Sequence, residues 1–184
     1  MAVKAKIGIL VMALLEDDYN KTAHMRPAAT AAAQEIADTF AEWGEVVHAG
    51  LVEEESQAAA AARLFNAADV DLIVAMELAY TKGLVPARAI LDTTAPVLVW
   101  NAQKIRRLAE DDGFDVVMLN SGMAGMPELT AVLLRTGREF ARWSPRCSTT
   151  RTADAVSRRS SPRPPSGAAS VRRAWRSSAT TSRA

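Results

Sequence analysis

Asp69-Val70-Asp71-Leu72-Ile73-Val74-Ala75-Met76, Glu77-Leu78-Ala79-Tyr80-Thr81-Lys82-Gly83, Leu84-Val85-Pro86-Ala87-Arg88 is the stretch that decides the fold. Its first part is a short apolar run of strand length, rich in β-branched residues. Its middle is polar and ends in glycine. Its last part puts a proline in a first helical turn, where a missing backbone N–H leaves no hydrogen bond unmade. Strand, polar turn and helix make half of a βαβ unit. In open α/β sheets ligands sit outside the carboxyl ends of the strands, which is where Glu77, Tyr80 and Thr81 fall.

The same grammar recurs on both sides. Residues 6–14 read as a buried first strand, continuous in apolar residues as a strand covered on both faces should be. A helix is expected over residues 27–42, because Ala29, Ala32, Ala33, Ile36, Ala37 and Phe40 recur at helical spacing. Gly44 follows as the expected left-handed residue. A short strand over residues 46–50 precedes a helix with Ser56 as N-cap and Ala61, Leu64, Phe65 and Ala68 inward. Residues 96–100 form a fourth strand, followed by a short helix with Ile105 and Leu108 inward. Residues 115–119 read either as a strand or as an extended approach to the next helix. That helix is expected to start at Pro127, to bury Leu129, Val132, Leu133 and Thr136 on one face, and to end at Gly137. Residues 139–143 open a last strand. The alternation predicts an α/β fold, a three-layer doubly wound, mostly parallel sheet of flavodoxin-like or Rossmann-like type.

The pattern stops after Trp143. Of 22 basic and 21 acidic side chains, nine arginines and a single acid, Asp154, lie in residues 144–184. That segment carries +8, and the 13 basic and 20 acidic groups left in residues 1–143 give −7. With ten serines, four prolines and no aliphatic residue longer than valine, residues 144–184 cannot bury enough apolar surface to offset chain entropy, and are expected to be disordered. The abruptness of the change suggests a reading-frame change or a truncation scar. The arginines would attract nucleic acid by charge alone, without specificity.

A lone cysteine, Cys147, rules out an intrachain disulfide and agrees with a cytoplasmic protein. The apolar run near the start is too short for a signal peptide, and no stretch reads as a membrane span. Neither G-x-G-x-x-G nor a P-loop is present. Ser121-Gly122-Met123-Ala124-Gly125 before a helix reads as a phosphate cradle or, more commonly, as a turn. Glu16, Asp17 and Asp18 after the first strand read as hydroxyl or metal ligands, or as a solvated loop. His24 and His48 lack metal-site spacing. Asn101 and Gln103 leave the fourth strand at its carboxyl end, where amides hold sugar hydroxyls or cap a turn. Trp43, Trp100, Trp143 and Trp175 are scattered and read as packing or tail.

Three segments then occur in order: Val70-Asp71-Leu72-Ile73-Val74 with Tyr80-Thr81 and Pro86-Ala87; Pro96-Val97-Leu98-Val99-Trp100-Asn101-Ala102-Gln103; and Leu119-Asn120-Ser121-Gly122-Met123-Ala124-Gly125-Met126-Pro127-Glu128-Leu129. Together they resemble the N-terminal domain of the L-arabinose and L-fucose isomerase family over about residues 4–143, the last segment most specifically. The resemblance implies aldose–ketose isomerisation, with Mn2+ holding the sugar oxygens and paired glutamates moving protons through an ene-diol. It also implies a longer oligomeric enzyme, whose metal ligands come from later domains while the N-terminal domain walls the sugar site. No residue here carries over as a metal ligand or catalytic base, so this chain is expected to bind no metal and to be inactive alone. Glu16, Tyr19, Tyr80, Gln103 and Asn120 are the expected sugar-binding residues. The alternative is a sugar- or flavin-binding module of flavodoxin-like fold.

Overall fold

The computed structural model describes residues 4–15, 23–103, 105 and 107–143. The predicted tail, Trp175 and the acidic loop at 16–18 lie outside these residues. Ten elements alternate along the chain: β1 (Lys6–Met12), α1 (Arg26–Phe40), β2 (Glu45–Val52), α2 (Glu55–Ala68), β3 (Leu72–Glu77), α3 (Leu84–Leu91), β4 (Val97–Trp100), α4 (Phe114–Met118), α5 (Gly122–Arg135) and β5 (Ala141–Trp143). The five strands form one sheet in the order β2-β1-β3-β4-β5, with every pairing parallel. This is the flavodoxin-type doubly wound order, and the winding reverses between β1 and β3.

Strand alternation sorts the apolar residues onto two faces. Ile7, Ile9 and Val11 of β1 pack with Ala29, Ala32, Ala33, Ala37 and Phe40 of α1. Leu10, Met12, Ile73, Ala75, Val97 and Val99 face the other way, onto α2, α3 and α5 through Phe65, Ile90, Leu129 and Leu133. Asp71, buried at the start of β3, accepts the Lys6 backbone N–H at 3.0 Å, while its own amide donates to the Lys6 carbonyl at 2.8 Å. That pair fixes the β1–β3 register at its amino end.

Several local expectations are corrected. Asp69 begins no strand. It ends α2 in the left-handed conformation, at φ 50°, with the Val70 N–H returning to the Phe65 carbonyl. Gly44 has no positive φ. Its role is space, since a Cβ there would lie 2.2 Å from the Ala5 carbonyl oxygen. Glu54, not Ser56, occupies the N-cap of α2, and Gln57 Oε1 accepts the Glu53 and Glu54 backbone N–H groups. Leu64 is 41% exposed, because the buried stripe of α2 runs through Ala58, Ala61, Ala62 and Phe65. Phe65 reaches the sheet over Gly8, within 3.0 Å of where a Cβ would stand.

The region after β4 differs most. No helix forms among the described residues between 101 and 113, and Leu108 is exposed. Side-chain acceptors take the backbone donors there: Asn120 Oδ1 accepts the Ile105 N–H, and Asp112 Oδ2 the Ala109 N–H. Residues 115–119 are neither strand nor extended segment. They lie mostly in α4, and β5 takes the place beside β4. Helix α5 begins at Gly122 and carries Pro127 inside it, so the expected start at Pro127 is five residues late. The inward face of Leu129, Val132 and Leu133 is as expected, but Thr136 is exposed at the C-cap, where the helix ends and turns away from the core. The helix closes with the Gly137 N–H on the Leu134 carbonyl and the Arg138 N–H on the Leu133 carbonyl, Gly137 having φ 69°.

Residues 114–135 are long and apolar enough to cross a membrane by length and composition. They are broken by a turn at 119–121, and Met126, Leu129, Val132 and Leu133 are buried against the sheet. Three of the scattered tryptophans converge. Trp100 stacks on Trp143 at 5.6 Å between centroids, and Phe40 meets both Trp100 and Trp43 edge to face.

Gly122 is the tightest joint between α5 and the sheet. A Cβ there would fall 1.9 Å from the Glu77 carbonyl oxygen, which belongs to the backbone and cannot turn aside. Gly122→Ala is therefore expected to lower stability by about 1–3 kcal/mol despite alanine's better helix propensity, as overpacking does. Urea denaturation of the two proteins checks this, and an unchanged midpoint would show that the joint is looser than described.

Candidate functional site

The carboxyl ends of β1, β3 and β4 and the first turn of α5 meet at one edge of the sheet. The segments leaving the strands stay joined there. Leu78 N–H donates to the Met12 carbonyl at 2.8 Å, Leu14 N–H to the Tyr80 carbonyl at 3.1 Å, and Ala13 N–H to the Val52 carbonyl at 3.2 Å. Arg26 adds a side-chain tie by donating to the Leu15 carbonyl at 2.6 Å and to Glu53 at 2.8 Å. Arg26 joins the exits of β1 and β2, a role that no motif in the sequence signals.

Of the expected sugar-binding residues, Tyr80, Gln103 and Asn120 lie along this edge, while Glu16 and Tyr19 lie outside the described residues. Gln103 Nε2 donates to the Asn120 carbonyl at 3.3 Å and contacts Met123 Sδ at 3.1 Å. The neighbouring Ser121 Oγ accepts the Tyr80 backbone N–H at 3.0 Å and donates to the Met118 carbonyl at 2.7 Å. Tyr80 Oη donates to Glu128 Oε1 at 3.1 Å, and Glu128 Oε2 accepts the Gly83 N–H at 3.2 Å. The hydrogen bond to Glu128 raises the Tyr80 phenol above its ordinary pKa.

Not every expected contact is free for a ligand. The Asn120 side chain is committed at both ends, accepting from Ile105 and donating from Nδ2 to the Val116 carbonyl at 2.7 Å. It fixes the loop, and only its backbone turns toward Gln103. Thr81 is fully buried and bonds the Ala79 carbonyl. Asn101 donates its backbone N–H to the Trp143 carbonyl. Gln103, exposed, and Tyr80, half-buried, remain the accessible polar groups of the set.

Glu77 stands at this edge as expected, but it turns inward. It closes β3 at 1% exposure, and neither carboxylate oxygen has a hydrogen-bond partner. Burial pushes its pKa up to about 8, Glu128 adds to the shift, and the Thr81 backbone opposes it. The glycines read from sequence as a cradle or a turn lie directly against this residue. A Cβ on Gly125 would stand 1.9 Å from Glu77 Oε2, and one on Gly122 would meet the Glu77 backbone. The first turn of α5 thus lies over a carboxyl group, which leaves no room there for a phosphate. Glu77 stood at the strand end in the sequence, but its burial needed the helix that covers it.

Of the two histidines, only His24 makes a side-chain tie among the described residues. His24 Nε2 lies 2.8 Å from Asp115 Oδ2 and ties the start of α1 to α4. His48, on edge strand β2, has its pKa lowered by burial, with Asp38 opposing. Among the described residues no group of three or more His, Cys, Asp or Glu side chains stands ready to hold a metal ion. The two carboxylates at the edge do not fit Mn2+: Glu77 is enclosed by glycine backbone, and Glu128 is committed to Tyr80 and Gly83. No family model and no curated protein matches the chain.

A buried acid whose pKa is raised in the folded state favours folding when protonated. That contribution is full below the ordinary value of 4.5 and is lost as pH rises toward about 8. Stability is therefore expected to fall with pH across this window, by at most ~1.4 kcal/mol per pH unit for a single proton. Glu77→Gln should remove that slope. Urea melts of both proteins at intervals from pH 5 to 9 check it, and parallel curves would mean that Glu77 titrates normally.

Proposed function

We propose that this domain binds a small polyol at the carboxyl edge of its sheet, as the N-terminal module of a cytoplasmic sugar isomerase of the L-arabinose and L-fucose isomerase type. The observation that carries the reading is the meeting of Tyr80, the Ser121–Asn120 turn and Gln103 at one edge. They come from the three segments in which the resemblance lies. An amide and a phenol offer both donors and acceptors, which is what sugar hydroxyls require, and the Tyr80 backbone is held by Ser121 and Leu14.

In such enzymes Mn2+ holds and polarises the sugar oxygens. The resemblance places the metal ligands in later domains, so this domain is proposed to position the sugar and not to move its protons. Its partners are then the sugar and further copies of the chain. Exposed Leu84, Phe114, Met123 and Leu134 supply apolar surface for such contacts. A second reading, a flavin-binding module, is favoured by the strand order itself, since flavodoxin-type sheets bind flavin mononucleotide at the β1/β3 reversal.

Calorimetric titration separates these readings. L-arabinose or L-fucose is expected to bind, and Gln103→Ala to weaken it by about two- to thirteenfold, the worth of roughly 0.5–1.5 kcal/mol for one hydrogen bond. Tight binding of flavin mononucleotide with no response to either sugar would overturn the sugar reading. Ketose formed by the purified chain with manganese would overturn the claim that it does not catalyse. Light scattering is expected to show self-association, and a clean monomer at high concentration would count against homo-oligomeric contacts.

A further inference from the structure

We propose that Glu77 is a protonation latch, which holds the first turn of α5 against the sheet while its carboxyl is neutral and releases that turn when the proton is lost. The proposal stands on how this joint is built and does not depend on which ligand the edge takes. A buried carboxyl normally has hydrogen-bond partners, and its absence of protein partners calls for a reason. Neither oxygen of Glu77 has a side-chain partner, the Thr81 backbone is the one donor that acts on the group, and Gly122 and Gly125 close over it. Each glycine is needed at that closeness: a Cβ on Gly125 would also come within 2.8 Å of the Thr81 carbonyl oxygen. Two glycines in one helical turn weaken the helix relative to alanine. The turn therefore relies on its contact with the sheet, and Glu77 is the centre of that contact.

Charge around the joint is arranged against ionisation. From α5, Glu128 acts on Glu77 as a second negative charge. From the loop after β3, Tyr80 is held by Glu128 and feels both Glu77 and Lys82. β1 brings Met12, Ala13 and Leu14, which carry no charge, and the acidic residues at 16–18 lie outside the described residues. No cation bonds to the Glu77 carboxylate among the described residues. An ionised Glu77 gains its hydration only by leaving the joint, and the shortest way is for the first turn of α5 to lift. The turn that lifts carries Ser121 and Met123 and adjoins Asn120, the groups that hold Tyr80 and Gln103. Opening would thus loosen the polar edge as a unit. Below Met126 the helix stays anchored by Leu129 and Leu133, both fully buried.

Hydrogen exchange of the full chain, corrected for the intrinsic pH dependence of exchange, tests the latch. Amides of residues 122–126, together with those of Tyr80 and Gly83, are expected to lose protection as pH rises from about 5 to 8, by up to tenfold per pH unit for one proton, and to level off above that. Amides of α2 should not follow. In Glu77→Gln the response should vanish. In Glu128→Gln, which removes the neighbouring charge and leaves Glu77 in place, levelling should begin at lower pH. A flat wild-type profile, an unchanged response in Glu77→Gln, or a loss of protection that spreads equally through α2 would each overturn the latch.

Discussion

The close approach of the first turn of α5 to Glu77 is the constraint on which the carboxyl edge depends. It is made by the absence of two β-carbons, at Gly122 and Gly125. With the helix seated, Ser121 reaches the Tyr80 amide, and Glu128 reaches both the Tyr80 hydroxyl and the Gly83 amide. With the helix an ångström further out, none of these bonds has its length. The same seating drives Leu129 and Leu133 into the core beside Ile90 and Phe65. Apolar burial supplies the attraction, and the glycines set how close it can bring the two layers.

Alanine plays the matching part on the other side of the sheet. Helix α1 lays Ala29, Ala32, Ala33 and Ala37 on β1, so the layers pack closely there with little side-chain entropy to lose. Bulk returns only at the end, where Phe40 joins Trp43, Trp100 and Trp143. This aromatic group seals the flank at which the last and shortest strand, β5, pairs with β4. Small residues in the middle and large ones at the rim let a sheet with a four-residue and a three-residue strand keep its parallel order.

The polar edge follows from how these layers end. Parallel strands deliver all their carboxyl ends to one side, so the loops that follow β1, β3 and β4 must share it. Backbone bonds between those loops, such as Leu14 to Tyr80, make the edge stiff and leave few groups turned outward. Gln103 and Tyr80 are two that do. Glu77 is the opposite case, a charged residue type at the same edge that turns inward, where burial pushes its pKa up to about 8. An edge built this way has an amide and a phenol at its surface and a titratable group beneath them.

Much of the fold was legible along the chain. Apolar runs at strand length and alanines at helical spacing identified β1, α1, β3, α3 and β4, because those elements are covered in the ordinary way by their neighbours. The sequence by itself also determined that the sheet is parallel, since strands and helices alternate, and that the polar residues after β3 and β4 fall on one side. Tertiary structure decided what local pattern leaves open. Residues 115–119 have strand composition and form a helix, and β5 holds the place next to β4. Asn120 has the chemistry of a ligand-binding amide and spends it on Ile105 and Val116. Gly122 and Gly125 have the spacing of a phosphate turn and serve as clearance for Glu77. In each case the residue type is the same on either reading. Which one holds depends on a partner distant in sequence, and such distances are set only when the layers pack.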